Sequence, residues 1–190
     1  MLPEKTLEDT MKVAGIVSSL YKSGSYGGSE LIIALKDFAT EAKNIPWVLI
    51  GGLAVGFHSK ARGTQDVDIL LSNENDINKL QLNSFKKNRS HAFEHKQTGV
   101  EIEVLTAKFL GVKEQIVSKA ISDNEKQSIQ GVQIPVVNKE GLITLKLQRG
   151  DYQDLADIEA ILKKDNNIDL AGYDLTEKQK ETFEFIKKKL

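Results

Sequence analysis

Apolar positions along the chain alternate between helical and extended spacing. Over residues 4–21, Leu7, Met11, Ala14, Ile16, Val17 and Leu20 recur at roughly helical spacing, which predicts a helix. The stretch Ser23-Gly24-Ser25-Tyr26-Gly27-Gly28 reads as a break. Ser29 is placed to cap a second helix carrying Leu31, Ile32, Leu35, Phe38, Ala39 and Ala42. Pro46 ends that pattern, because proline pushes its predecessor out of the helical region. Trp47-Val48-Leu49-Ile50 is a continuous apolar run, read as a buried strand entering a tight Gly51-Gly52 turn. Residues 53–60 predict a short helix, 66–71 a strand, and 73 onward a helix with Ile77, Leu80 and Leu82. Two more strands, 91–95 and 100–105, meet across Gln97-Thr98-Gly99 as a hairpin. Thr106 is placed to cap a helix reaching about residue 121, and 131–137 predicts another strand. Asn138 is placed to cap a helix with Leu142, Ile143, Leu145 and Leu147, which Arg149-Gly150-Asp151 breaks before a helix over 155–162. Thr176 and Gln179 match a capping box for a last helix through Phe183 and Ile186. The pattern is that of an α/β (α+β) chain with a small mixed sheet flanked by helices.

Composition narrows the chemistry. The chain has 190 residues, 40% of them apolar and 28% charged, enough to bury a core without disulfide or metal support. It has no cysteine, which removes disulfides, thiolate metal sites and a cysteine nucleophile. Twenty-six basic residues against 27 acidic ones give a net charge of −1, so overall charge does not point to a polyanion. No apolar run approaches the ~18 residues of a membrane span. The charged N-terminus has no secretory apolar stretch, so a cytoplasmic location is expected.

The informative segment runs from Gly51 to Leu71. On a strand, residues two apart share a face, so Asp66 and Asp68 point one way while Val67, Ile69 and Leu71 point into the core. Two carboxylates ~7 Å apart on one face repel, and a hard divalent cation resolves that repulsion. Gly51 and Gly52 let a ligand approach the backbone, and the helix after them offers unpaired N–H groups to a phosphate. A third carboxylate comes from Glu101 or Glu103, which share one face of the 100–105 strand. Strand parity leaves the choice between them open.

These residues resemble the active-site signature of the nucleotidyltransferase superfamily with the DNA polymerase β-like fold. The segment is most similar to bacterial proteins of the AbiEii-like and minimal-nucleotidyltransferase type, some of which are toxins of toxin–antitoxin pairs. The family pattern is a strand, Gly-Gly or Gly-Ser, a helix, an Asp-x-Asp pair and a third acid on a later strand. Gly51, Gly52, Asp66 and Asp68 match it directly, and Glu103 takes the third place, with Glu101 as the alternative. The resemblance covers about residues 30–163.

It implies a nucleoside triphosphate substrate, Mg²⁺ (or Mn²⁺) held by Asp66, Asp68 and Glu103, and nucleotide contacts from Gly51, Gly52, Arg62, Thr64 and Lys146. Lys146 enters because the family carries a lysine on the helix lining its nucleotide cleft. The expected reaction moves a nucleoside monophosphate to a hydroxyl acceptor, which could be a tRNA, a protein or a small molecule. A cognate antitoxin is a further expected partner. Where the family more often has Asp, this chain has Glu103, and the alternative reading is a catalytically reduced nucleotide- or partner-binding protein of the same fold. The organisation expected is a helical extension over 1–28, a nucleotidyltransferase-like domain over 29–163 and a C-terminal helical extension over 164–190.

Overall fold

The computed structural model describes residues 28–59 and 63–190. The helix expected over 4–21, most of the N-terminal extension, Lys60 and Arg62 lie outside the described residues. Among those described, the order is α1 (Gly28–Glu41), β1 (Trp47–Leu49), α2 (Gly51–His58), β2 (Asp66–Leu71), a 3-10 helix (Glu74–Lys79), β3 (Phe85–Arg89), β4 (Ala92–His95), β5 (Glu101–Leu105), α3 (Ala107–Leu110), α4 (Glu114–Ser122), β6 (Glu125–Ile129), β7 (Val132–Val136), α5 (Lys139–Arg149), α6 (Tyr152–Leu162) and α7 (Glu177–Lys188). The strands form one seven-stranded sheet in the order β3-β4-β5-β2-β1-β7-β6. Pairs β2–β5 and β1–β7 are parallel and the rest antiparallel.

The central strands bury their apolar residues in the core, as a continuous run in β1 and on the core face of β2 and β5. Val48, Leu49, Val67, Ile69, Leu70, Ile102 and Val104 are all fully buried. Two strands escape the hydrophobic pattern, and both are sheet edges. Phe85–Arg89 reads Phe-Lys-Lys-Asn-Arg and Glu125–Ile129 reads Glu-Lys-Gln-Ser-Ile, each with one buried residue. An edge strand pairs on one side only, and its charges discourage pairing with another chain. Cross-strand contacts such as Lys86 with Glu94 (2.7 Å) add to the backbone ladder.

Other boundaries shift for local reasons. Gly51 and Gly52 are the first residues of α2 rather than a turn ahead of it. Helix α1 starts at Gly28, so Ser29 lies inside it. The helix expected after Thr106 splits, because Gly111 adopts a left-handed conformation (φ 66°) and closes α3 after one turn. Thr106 precedes α3 without capping it through its side chain. The stretch after Asn73 is a 3-10 helix, its start capped by the Asn73 side chain accepting from the Asp76 N–H.

Helix α5 positions the site and is the hub of the helical layer. It packs against α2, α4, α6 and α7. Asn138 caps its start by accepting from the Gly141 N–H at 2.9 Å, and Gly150 (φ 66°) ends it. The capping box on α7 forms as read, and Phe183 and Ile186 bury that helix in the common core. Residues 164–175 add Ile168, Leu170, Tyr173 and Leu175 to the same cluster. No helix among the described residues is long and apolar enough to cross a membrane.

Candidate active site

Register decides what the parallel strands β2 and β5 bring together. Asp66 lies opposite Glu101 and Asp68 opposite Glu103. Neighbouring strands are about 4.8 Å apart, so residues in register on one face stand side by side. Asp66, Asp68 and Glu103 line a cleft of about 510 Å³ with Gly51, Gly52, Thr64, Lys146, Arg149 and Asp154. Leu105, Phe109, Leu110, Leu142 and Leu145 supply its apolar walls. Glu101 shares the face but not the cleft; its carboxylate pairs with the Arg89 guanidinium on β3. A larger cavity of about 830 Å³ lies between residues 166–175 and α7 and holds none of these acids.

Gly51 shows why this position takes no side chain. Its φ is +67°, and a Cβ built there would come within 1.7 Å of Asp68 Oδ2. The Asp68 carboxylate thus rests on the Gly51 backbone. The Ile50 N–H donates to the Asp68 carbonyl oxygen at 2.9 Å, tying the start of α2 to β2. Ile50 offers no side-chain cap to the first N–H groups of α2, and Gly51 and Gly52, its first residues, line the cleft. Gly51→Ala is expected to displace the Asp68 carboxylate and lower stability by about 1–3 kcal/mol, the range for a non-glycine residue in a sparsely populated backbone conformation. Thermal unfolding together with metal and nucleotide titration checks this; unchanged binding would show that the Asp68 position is not set by Gly51.

The acids differ in their partners. Thr64 Oγ1 donates to Asp66 Oδ1 at 2.9 Å. His91 Nε2 is 3.4 Å from Glu103 Oε1, and its ring lies tilted on Phe109 at 4.4 Å. Asp68 has no side-chain hydrogen bond or ion pair among the described residues. Burial, then the charges of Asp66 and Glu103, push its carboxyl up from 3.8 to about 7, against a smaller pull from Lys146 and Arg149.

Such a site asks for a cation. No group of three or more potential ligand side chains among the described residues is gathered tightly enough to enclose a metal by itself. Mg²⁺ does not require that, since it keeps waters and takes one or two carboxylates plus substrate phosphates. An unpaired, strained carboxylate beside two others, all hard oxygen donors, fits that ion.

No protein-family model matches the chain, and no curated protein is significantly similar to it in sequence. The solved structure of an antigenic nucleotidyltransferase-like protein from Paracoccidioides brasiliensis is similar to it, with a TM-score of 0.55 at 18% identity over 85% of this chain and 88% of that one. The fold is nucleotidyltransferase-like. A looser likeness, TM-score 0.46 at 11% identity over 85% of this chain and 98% of that one, is to ANT(2")-Ia in complex with adenylyl-2"-tobramycin.

On this nucleotidyltransferase-like fold, the cationic wall comes from α5. Lys146 Nζ donates to Asp154 Oδ1 (3.0 Å) and Asp157 Oδ2 (2.6 Å), and all three side chains are at most 7% exposed. Arg149 holds Asp154 through Nε (2.9 Å) and Nη2 (3.2 Å), and Nη2 also reaches Asp151 at 3.1 Å. Burial works against the guanidinium charge, but Asp154 and Asp151 outweigh it and raise its pKa. Lys146 lines the cleft with its amine committed to two aspartates.

Arg149, which in the sequence belongs to the Arg149-Gly150-Asp151 helix break, is a cleft residue in the fold. Its signal was the spacing: Lys146 and Arg149 stand one turn apart on α5, and Asp151, Asp154 and Asp157 repeat every three residues at the start of α6. The three histidines have separate places. His58 Nε2 lies 2.6 Å from the Val137 carbonyl oxygen. His95 is buried between Thr98 (2.8 Å) and Asp37 (3.1 Å), joining β4 to α1, while His91 faces Glu103.

Proposed function

We propose that the chain is a metal-dependent nucleotidyltransferase that moves a nucleoside monophosphate from a nucleoside triphosphate to a hydroxyl acceptor. The observation that carries this is the parallel register placing Asp68 beside Glu103, with Asp66 on the same face, against the uncapped Gly51-Gly52 start of α2. The nucleotidyltransferase-like fold supports the same reading.

In this reading Asp66, Asp68 and Glu103 hold Mg²⁺ or Mn²⁺, whose positive charge offsets the triphosphate against the acids. Gly51 and Gly52 approach the phosphates with their backbone N–H groups, where the helix start favours negative charge. Thr64 holds Asp66 in place. Glu103 takes the proton of the acceptor hydroxyl. The hydroxyl oxygen forms a bond to the α-phosphorus, the bond from that phosphorus to the bridging oxygen breaks, and pyrophosphate leaves with the electron pair. Positioning and charge stabilisation supply most of the rate. A toxin role with a cognate antitoxin is the finer form of this proposal, and growth arrest relieved by the product of an adjoining gene tests it.

The deciding experiment incubates the protein and Mg²⁺ with each labelled triphosphate and, in turn, RNA, protein and small-molecule extracts of cells. Label is expected to move to one of these fractions. Glu103→Gln should reduce transfer at least ~100-fold, the lower range for losing a general base, and Glu101→Gln should change it only a few-fold. No transfer by the wild-type chain in any fraction rejects the proposal; loss on Glu101→Gln with Glu103→Gln active rejects the assignment of Glu103.

A further inference from the structure

Lys146 and Arg149 are the cations among the described residues lining the cleft, and the structure uses them differently. The Lys146 ammonium has two of its three N–H groups on Asp154 and Asp157, both carboxylates being nearly fully buried. Reaching out to a phosphate would take its ammonium from both buried carboxylates, leaving Asp157 without the cation it shares and Asp154 to Arg149, and loss of a buried charge partner is costly.

Arg149 carries no such restriction. A guanidinium has five N–H groups in a planar fork. Nε and Nη2 account for all three of the bonds to Asp154 and Asp151, and the two N–H groups of Nη1 have no partner among the described residues. The side chain is 58% exposed and borders the cleft. Asp154 and Asp151 thus fix the plane of the guanidinium and leave the two N–H groups of Nη1 for an oxyanion. A guanidinium is also less strongly hydrated than a lysine ammonium, which favours it as a phosphate contact.

We propose that Arg149, oriented by the buried Asp154, is the contact for the non-transferred phosphates of the triphosphate, and that Lys146 is an internal counter-ion that stays with its two aspartates. This rests on the nucleotidyl-transfer reading: the acids meet the α-phosphate, and the two phosphates beyond it meet the N–H groups of Arg149 Nη1, which have no partner among the described residues. Asp154 acts through Arg149 and is a positioning residue.

The test is calorimetry with Mg²⁺ and the four ribonucleoside triphosphates, followed by the monophosphate of the best-bound base. Wild type is expected to prefer the triphosphate. Arg149→Met should weaken triphosphate binding at least ~10-fold, the loss expected for a hydrogen bond to a charged group, and change monophosphate binding less than about two-fold. Asp154→Asn should lower the same ratio, and the double variant should add little beyond either single change, as for residues acting as one unit. An unchanged ratio in Arg149→Met overturns the phosphate contact while the transfer reading stands. Additive effects overturn the positioning role of Asp154. Binding of no triphosphate by wild type overturns the transfer reading and this inference with it. Lys146 is followed in the wild-type protein by amine-reactive labelling and peptide mass analysis, which needs no variant. It should resist labelling with and without Mg²⁺ and triphosphate, and labelling in the free protein would overturn its role as an internal counter-ion.

Discussion

Asp68→Asn is expected to make the protein more stable at pH 8 while removing metal-dependent nucleotide binding. The carboxyl is pushed from 3.8 to about 7 in the fold, by burial first and then by Asp66 and Glu103. The folded chain therefore keeps a proton that the unfolded chain loses. Stability from this group is intact below about pH 4, falls as pH rises towards 7, and stays at its lowest above that. At about 1.4 kcal/mol per pKa unit the difference has an upper bound of about 4 kcal/mol, and water in the open cleft reduces it to about 2. Asparagine keeps the shape and removes the charge. Thermal unfolding without divalent ions should show the variant about 4–8 °C above wild type at pH 8, by the usual scaling for a chain of this size, with no gain at pH 4. Equal or lower stability of the variant at pH 8 would show that Asp68 carries no such strain. Strain held at a site that binds a cation is the expected form of a trade between stability and function.

Lys146→Met should have the opposite effect on the fold. It leaves Asp154 and Asp157, 1% and 2% exposed, without their shared cation. Removing one partner from a buried pair typically destabilises by about 3–5 kcal/mol. Arg149 still serves Asp154, and Gln153 Nε2 still donates to Asp157 at 3.0 Å, so the lower half of that range is expected. Lys146→Met combined with Asp157→Asn should recover part of the loss, because one stranded charge is then gone. Urea unfolding of both variants measures it. A loss under about 1 kcal/mol for Lys146→Met would mean that the ion cluster does not hold α5 to α6.

Much of the fold was legible where burial dictates residue type. The continuous apolar run 47–50, and the alternation that puts Val67 and Ile69 on one face of 66–71 and Ile102 and Val104 on one face of 100–105, are legible as central strands because the face packed on the core must be apolar. The Asn138 cap and the Thr176–Gln179 box are local chemistry, complete within four residues, and both form. The edge strands β3 and β6 were not legible. Their stability comes from backbone bonds to β4 and β7, which leave no pattern in side chains facing water.

The candidate site divides along the same line. Alternation within 66–71 and 100–105 by itself determined that Asp66 and Asp68 share a face, as do Glu101 and Glu103, because side-chain direction in a strand has a period of two. It could not determine which glutamate meets the aspartates, since that depends on how one strand slides past another. The pairing of Asp68 with Glu103, and of Glu101 with Arg89, follows from the register of β2 against β5 and of the β3–β4 hairpin beside them. The commitment of Lys146 to Asp154 and Asp157, with Nη1 of Arg149 left without a partner among the described residues, likewise follows only from the packing of α5 on α6. Residues 8 and 11 positions apart become ion partners there because the turn at Gly150 folds one helix back on the other.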